Sequence, residues 1–399
     1  MNPPALARVR GALDHFRIEL PSWGFADTGT RFGKFYQDAA AIDLKDKLAD
    51  AGEVHRLTGC CPRVALHVLW DFAPGVAART VTRLARRYGV KVGSINPNLF
   101  QDQEYKWGSL TNRDPAIRRR ALAHMRASIK LGQAVGSDSV SLWLADGTSY
   151  PGQANLRDRK HALTASLQAC HRWLARGQTL LLEYKPFEPA FYATDLADWG
   201  MAYILAQKAG ARAKVLVDTG HHYQGQNVEQ IVAFLLDEGM LGGFHFNDRR
   251  YADDDLTFGS LDPYQAFRIF QEIHSYGSER GRLPAVAYMI DQSHNEKPKV
   301  EATIQTVVMA QELFAKAALV DQAELKKRQA REDVIGAEMI LKEAFFTDVR
   351  PTLAAWRRTR GLPPDPLGAY RRSGYAKAAA ADRRRRRREL NLTRAGSYA

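Results

Sequence analysis

Cysteine is scarce in this chain of 399 residues, and long apolar runs are missing from it. There are only three cysteines, and Cys60 and Cys61 are adjacent. This spacing fits neither a disulfide framework nor a zinc motif, so we expect reduced, structural cysteines. No apolar run reaches the roughly 18 residues that cross a bilayer, and the first residues lack the apolar segment of a secretory signal. These absences favour a cytoplasmic protein with no membrane partner.

An acidic excess is also missing, because the formal net charge is +13. Six consecutive arginines, Arg383–Arg388, stand close to the end of the chain. Because like charges repel, we predict that residues 375–399 form a disordered tail. Clustered arginines bind phosphate, so a nucleic-acid-binding protein is an alternative from a different class. The sequence shows neither the basic groove nor the stacking aromatics that should accompany it, and we expect enzymatic activity to survive deletion of Lys377–Ala399.

Eight short apolar segments, each followed by a helical pattern, account for most of the chain. They are Arg17–Trp23, Arg63–Asp71, Lys91–Asn98, Ser139–Asp146, Thr179–Phe187, Ala213–Gly220, Leu241–Asn247 and Ala285–Ser293. The segments are apolar throughout rather than alternating, which is typical of parallel strands covered on both faces.

Eight strand–helix units over roughly 300 residues have the size of a (β/α)8 TIM barrel. A doubly wound open sheet is the alternative, but no G-x-G-x-x-G turn follows the first strand. We therefore predict an α/β fold with a (β/α)8 catalytic barrel over residues 1–318. A helical extension over 319–374, which we expect to contact other subunits, and the tail over 375–399 follow it.

Polar side chains stand at the carboxyl ends of four successive predicted strands. These residues are Glu183, Asp218, His245 and Asp291. In a (β/α)8 barrel such positions face one site. Three oxygen donors and one imidazole suit Mn²⁺, Co²⁺ or Mg²⁺ better than a thiolate-seeking metal. The sequence therefore predicts a divalent-metal site at this end of the barrel.

A second group of potential ligands lies beside the first. It consists of His221, Asp253 and Asp255. The two aspartates are two residues apart, so in an extended chain their side chains face the same way. Asp218 could bridge two metals, which makes two cations per subunit the expectation.

The segments EYKPFEP, VDTGHH, GFHFNDRRYADDD and MIDQSHN resemble the L-rhamnose isomerase family of broad-specificity bacterial type, within the xylose isomerase-like barrels. The resemblance extends over roughly residues 15–375. It implies a two-metal aldose–ketose isomerase that converts L-rhamnose to L-rhamnulose, with D-allose/D-psicose-type pairs as further substrates. It also implies Mn²⁺ as the activating ion, with Co²⁺, Mg²⁺ or Zn²⁺ as alternatives, and a homotetramer or dimer.

The resemblance also implies roles for single residues. The first ligand group would hold the metal that binds substrate hydroxyls, and the second group would hold a catalytic metal. Lys185 would bind the O1 region of the sugar, His67 would assist ring opening, and Trp143 and Phe100 would form an apolar wall. An aromatic residue of the first loop reaches a neighbouring subunit's site in the family, and Phe32 is the candidate here. The expected catalytic residues are Lys185, His67, Asp291 and Asp255.

Two reaction routes and one related activity stay open at this point. A metal that contacts O1 and O2 favours a 1,2-hydride shift, and an enediol with a carboxylate base is the competing route. A ketose 3-epimerase of the same superfamily would use one metal and two glutamates as an acid–base pair. The second ligand group argues against it. A three-zinc barrel nuclease would need more histidine ligands.

Overall fold

Eight parallel strands close into a barrel in the structure of the protein, a computed structural model that describes residues 3–30, 33–72, 74–187, 191–251 and 255–392. The strands are β1 Ile18–Pro21, β2 Arg63–His67, β3 Lys91–Asn96, β4 Ser139–Trp143, β5 Thr179–Glu183, β6 Ala213–Asp218, β7 Leu241–Phe246 and β8 Ala287–Ile290. They follow one another round the barrel in chain order, and β1 pairs with β8 to close it. The predicted (β/α)8 barrel is confirmed.

Within the described residues, ten helices precede or cover the barrel. They are α1 Pro3–His15, α2 Leu44–Thr58, α3 Val68–Asp71, α4 Ala78–Arg87, α5 Pro115–Val135, α6 Leu156–Trp173, α7 Trp199–Ala209, α8 Val228–Asp237, α9 Pro263–Arg280 and α10 Lys299–Ala317. Asp or Asn side chains cap the N-termini of most of these helices, for example Asp43 on α2 and Asn155 on α6. Such caps satisfy amide groups that have no partner inside the helix.

The apolar periodicity of α8 illustrates how the helices dock. Val228, Ile231, Val232, Leu235 and Leu236 lie on one face at helical spacing, and all five are buried. Short pieces of structure complete the barrel. They are the turns Trp23–Phe25 and Gln103–Trp107 and two antiparallel pairs of very short strands, Gly29–Thr30 with Gly33–Lys34 and Gly147–Thr148 with Ala193–Thr194. No helix among the described residues is long and apolar enough to span a membrane.

Five more helices follow the barrel. They are α11 Gln322–Ala330, α12 Val334–Phe346, α13 Arg350–Arg358, α14 Pro366–Ser373 and α15 Tyr375–Glu389. The prediction of disorder is therefore wrong for residues 375–389, while residues 393–399 lie outside the described part of the chain. The helix forms despite the repulsion between its arginines because carboxylates of α2, of the chain before α2 and of α15 itself pair with them. Arg383 lies 2.7 Å from Asp50, and Arg386 lies 2.7 Å from Asp46.

The second strand is shorter than its apolar run predicts. β2 ends at His67, and the chain turns into the short helix α3. The carboxylate of Asp71 causes this turn, because it accepts hydrogen bonds from the His67 amide at 2.8 Å and from the Ser22 hydroxyl at 2.5 Å. Nζ of Lys47 also lies 2.5 Å from Oδ1 of Asp71. This buried ion pair fixes α2 against the ends of β1 and β2.

Replacing Lys47 with methionine removes the cation and leaves the Asp71 carboxylate buried without its charge partner. We expect Lys47→Met to lower the free energy of unfolding by about 3–5 kcal/mol, measured by urea denaturation. Lys45→Met on the exposed side of the same helix is the matched control and should change it by less than about 0.5 kcal/mol. Equal effects of the two substitutions would contradict this role of Lys47.

Candidate metal centre and active site

Glu183, Asp218, His245 and Asp291 converge at the carboxyl ends of β5 to β8. Each offers one ligand atom, and these atoms all lie within 4.8 Å of one another. Nδ1 of His245 is 3.1 Å from Oε2 of Glu183, 3.5 Å from Oδ2 of Asp291 and 3.9 Å from Oδ2 of Asp218. The strand register produces this arrangement, because Asp218 of β6 pairs directly with His245 of β7.

Three carboxylates make the centre strongly negative. Burial lowers the pKa of His245, but Glu183, Asp291 and Asp218 outweigh burial and raise it to about 10. Burial raises the pKa of Glu183, but the nearby His245, His221 and Lys185 outweigh burial and lower this pKa below its usual value. Buried oxygen donors with one imidazole, close enough to share an ion, fit a divalent cation such as Mn²⁺.

Neighbouring groups hold two of the carboxylates in place. The Asn247 amide donates to both oxygens of Asp218, at 3.0 and 3.2 Å, and to the Asp291 carbonyl at 3.2 Å. The Gly220 amide donates to Asp218 at 2.7 Å, and a Cβ on Gly220 would lie 2.4 Å from Oδ1 of Asn247. The indole of Trp23 donates to Oδ1 of Asp291 at 2.8 Å. These contacts fix the orientation of ligands that would otherwise rotate.

Trp23 and Asn247 were not among the site residues expected from the sequence. A signal for Asn247 existed, because it follows His245 by two residues and alternation places both side chains on one side of the strand. Trp23 carried no comparable signal. Its partner Asp291 is 268 residues away in the chain, so only the closure of the barrel between β1 and β8 brings them together.

The second ligand group is only partly described. His221 lies beside the first group, with Nδ1 3.4 Å from Oε1 of Glu183 and Nε2 3.9 Å from Oδ2 of Asp218. Asp255 lines the same cavity as His221. Its φ of +47° shows that the chain is not extended there, which differs from the extended geometry used to pair it with Asp253. Asp253 and Phe32 lie outside the described residues.

A cavity of about 200 Å³ opens on this centre. Glu183, His245 and Asp291 of the ligand group line it, together with Lys185 and an aromatic group made of Trp23, His67, Trp70, Phe100 and Trp143. The rings of Phe100 and Trp143 are 5.1 Å apart, and Nζ of Lys185 stands 5.2 Å from the Trp143 ring centroid. The structure thus brings His67, Phe100, Trp143 and Lys185 to the ligand group.

His67 is neutral in this cavity. Burial, with smaller contributions from Lys47 and His245, lowers its pKa to about 3. Its Nδ1 is buried and has no hydrogen-bond partner among the described residues. A neutral imidazole can donate or accept a hydrogen bond, so His67 is suited to a polar group of a bound molecule.

Two larger cavities, of about 830 and 850 Å³, share Arg17, Arg282 and Tyr288 in their linings. Both include Val286, just before β8, and the larger one also includes Thr179 and Leu241 at the starts of β5 and β7. In (β/α)8 enzymes the chemistry takes place at the other ends of the strands. The smaller cavity, which carries the ligand group, is therefore the candidate active site.

Asn247→Ala removes the side-chain amide that donates to Asp218. The Asp218 carboxylate can then rotate in the metal-free protein, and metal binding loses affinity because it must fix that carboxylate. We expect about 10- to 100-fold weaker Mn²⁺ binding, measured by electron paramagnetic resonance of the free ion. Asn155→Ala, which removes only the cap of α6, is the control and should leave Mn²⁺ binding unchanged. Unaltered affinity in Asn247→Ala would show that Asp218 does not need this support.

Comparison with known proteins places the whole arrangement in a family. Residues 61–277 match the family described as xylose isomerase-like TIM barrel. A Mesorhizobium japonicum protein named "probable sugar isomerase" is 37% identical over 384 residues, covering 95% of this chain and 89% of that protein. A xylose isomerase of Thermus thermophilus is 28% identical over 204 residues, covering 49% of this chain and 52% of that enzyme.

Solved structures agree at the level of the fold. A structure of L-ribulose 3-epimerase superposes with a TM-score of 0.51 at 17% identity, covering 80% of this chain and 98% of that one. At this identity the likeness concerns the barrel alone. Together with the sequence matches over most of the chain, it leads to one conclusion: the protein belongs to the xylose isomerase-like TIM barrel family.

Proposed function

We propose that the protein is an aldose–ketose isomerase that uses two divalent cations per subunit, Mn²⁺ in the first place, and converts L-rhamnose to L-rhamnulose with broad aldose specificity. The observation that carries the proposal is the convergence of Glu183, Asp218, His245 and Asp291 within 4.8 Å of one another. The 37% identity to a protein named "probable sugar isomerase" supports a sugar substrate.

The first ligand group would hold one cation, and His221 with Asp253 and Asp255 would hold the other, with Asp218 shared. A divalent cation at this centre supplies Lewis acidity toward the hydroxyl and carbonyl oxygens of a sugar. The first ligand group stands at the carboxyl ends of four different strands, β5 to β8, which would hold the donors of one cation close together.

Lys185 and His67 are the candidates for polar contact with the sugar itself. The Lys185 side chain reaches the cavity beside the Trp143 ring, where its positive charge would stabilise an oxygen that becomes negative during the reaction. His67, neutral and with a buried Nδ1 that has no partner among the described residues, would bind the ring oxygen or the hydroxyl released when the ring opens.

The aromatic group favours a hydride shift over an enediol. Trp23, Phe100 and Trp143 line the cavity that would hold C1 and C2 of the sugar. Such walls exclude water, and with it the protons that an enediol would exchange with solvent.

A ketose 3-epimerase is the second candidate, because a structure of such an enzyme shares the fold. That chemistry would use two glutamates as acid and base. The ligand group here contains one glutamate, Glu183, with Asp291 as the carboxylate from β8. The donor set therefore favours the isomerase.

The arginines of α15 argue against the nucleic-acid alternative. Four of them pair with carboxylates of the region before and within α2, and Arg385 pairs with Asp382 and Glu389 of its own helix. Binding to phosphate would require these ion pairs to break.

Subunit contacts through the C-terminal extension form part of the proposal. The helix α12 leaves Val334, Ile335 and Phe346 exposed at 74%, 77% and 76%. Apolar side chains exposed together on one helix are typical of a protein interface. A homotetramer, or a dimer, would cover them.

Removal of metal should abolish activity. We expect protein stripped with EDTA to be inactive on L-rhamnose and to regain activity with Mn²⁺, because the reacting oxygens lose their Lewis acid. The measurement is ketose formation from L-rhamnose, L-mannose, L-lyxose, D-allose and D-xylose. Using L-rhamnose deuterated at C2 also identifies the route, since a hydride shift retains the label at C1.

Two results would contradict this proposal. Full activity after verified metal removal would exclude the metal-dependent reaction. Interconversion of ketoses at C3, with no product from any aldose, would replace the isomerase with the epimerase.

The second metal can be tested separately from the first. We expect Asp253→Ala to retain Mn²⁺ at the first ligand group and to lose most turnover, because only the second group is damaged. Asp254→Ala is the matched control and should keep its activity. Normal turnover in Asp253→Ala would show that the second site has been assigned to the wrong residues.

A further inference from the structure

Arginine side chains of helix α15 contact the chain between β1 and α2. Arg383 donates to the Ala39 carbonyl and lies 2.7 Å from the carboxylate of Asp50. Arg387 donates to the carbonyls of Asp38 and Ala40 at 2.9 and 2.8 Å. Both arginines are buried, with 3% and 9% of their surface exposed. Two buried guanidinium groups that bind backbone carbonyls form a specific contact rather than a solvated charge run.

These carbonyls belong to the connection between β1 and α2, which we call the first loop (residues 26–30 and 33–43). The loop closes on itself where the Ala41 amide donates to the Phe25 carbonyl at 2.8 Å. Within it, Oδ1 of Asp27 accepts the Gln37 amide at 2.8 Å, while Oδ2 of Asp27 lies 3.4 Å from Arg387. Arg387 therefore touches the loop on both of its limbs.

The other side of the first loop is attached to the segment that follows Asp291. The Gln37 side chain donates to the carbonyls of Asn295 and Lys297 at 3.0 and 2.9 Å. The Thr28 hydroxyl donates to the Asn295 side chain at 3.2 Å. The loop thus lies between α15 and the chain just beyond β8.

The residues that precede the first loop and the segment after β8, Trp23 and Asp291, meet at the metal centre. The turn Trp23–Phe25 immediately precedes the loop, and Trp23 donates to Oδ1 of Asp291 at 2.8 Å. The side chain of Asp291 is 27% exposed, whereas those of Glu183, Asp218 and His245 are at most 3% exposed. Asp291 is therefore the most exposed of the four candidate ligands, and the Trp23 indole donates a hydrogen bond to its carboxylate.

We propose that Arg383 and Arg387 are positioning residues: they clamp the first loop, and the loop keeps Trp23 and the segment after β8 at the separation at which Trp23 orients Asp291. The proposal rests on the metal-dependent function proposed above. It replaces the expectation that the tail is dispensable, because a chain cut before α15 would lose this clamp while retaining all eight strands.

A role of α15 in stability alone predicts a different effect on metal affinity. If α15 only adds stability, its loss lowers the free energy of unfolding without changing metal affinity in the folded protein. A clamp acts locally, on the first loop and on the residues after Asp291. The two readings separate when metal affinity and local opening are measured in a variant that stays folded.

Arg387→Met is the informative substitution. Arg383→Met would leave Asp50 buried beside no cation. Burial raises the pKa of that carboxyl to about 6 even with Arg383 opposing the rise, so this variant risks unfolding. Asp27→Asn removes the charge from the loop side of the same contact. Arg385→Met is the matched control, because Arg385 is exposed and its ion-pair partners in the described part of the chain, Asp382 and Glu389, belong to α15 itself.

The experiment uses the full-length chain and two readouts. Hydrogen–deuterium exchange of the metal-free protein is measured over residues 33–43 and 292–297, and Mn²⁺ affinity is measured by titration. In Arg387→Met we expect about tenfold faster exchange in both segments and about tenfold weaker Mn²⁺ binding. Asp27→Asn should shift both quantities in the same direction, and Arg385→Met should match the wild type.

Three outcomes would overturn the proposal: equal exchange in Arg387→Met and wild type, faster exchange with unchanged Mn²⁺ affinity, or the same changes in Arg385→Met. Failure of the proposed function looks different. A wild-type protein that binds no Mn²⁺ at this centre would refute the metal site, and the exchange over residues 292–297 would then show by itself whether the clamp exists.

Discussion

Three carboxylates held against one imidazole are the feature on which the rest of this structure depends. Two unit charges about 4 Å apart repel by about 4 kcal/mol at an effective dielectric constant of roughly 20. Glu183, Asp218 and Asp291 converge around His245 despite that repulsion, because each is fixed to its own strand end. A closed parallel barrel imposes such convergence, whereas an open sheet would let the strand ends spread.

Neighbouring residues hold the side chains of this centre in place. Asn247 and Gly220 hold Asp218, Trp23 holds Asp291, and the Lys47–Asp71 pair sets the turn that carries His67 into the cavity. Aromatic side chains form much of the remaining wall. The result is a small cavity with one highly charged side and one apolar side, which suits a sugar whose hydroxyls bind a metal and whose carbon skeleton contacts aromatic rings.

Much of this could be predicted from the sequence, for identifiable reasons. Apolar runs of strand length define the barrel, and a polar residue at the end of such a run lies at the carboxyl end of the barrel. The sequence therefore predicts that Glu183, Asp218, His245 and Asp291 come together, as they do, while their binding of a metal stays a prediction. The turn at Asp71 was missed because Val68–Asp71 is as apolar as a strand. Trp23 was missed because its role depends on a partner at the far end of the chain.

The arginine helix shows the limit of local reasoning about charge. Six consecutive arginines indicate disorder when their mutual repulsion is considered alone. Arg383 and Asp50 are 333 residues apart in the sequence, so no local pattern reveals that α2 supplies the neutralising carboxylates. Once the fold brings the two helices together, the same charges that suggested disorder hold α15 to the barrel.

The most direct test of the metal centre is anomalous X-ray diffraction at the manganese edge, from crystals grown with Mn²⁺. We predict a strong peak enclosed by Glu183, Asp218, His245 and Asp291. A second peak next to His221 and Asp255 would support the proposed second metal. Manganese bound only elsewhere on the protein, with no peak among the four strand-end residues, would show that they do not form a metal site.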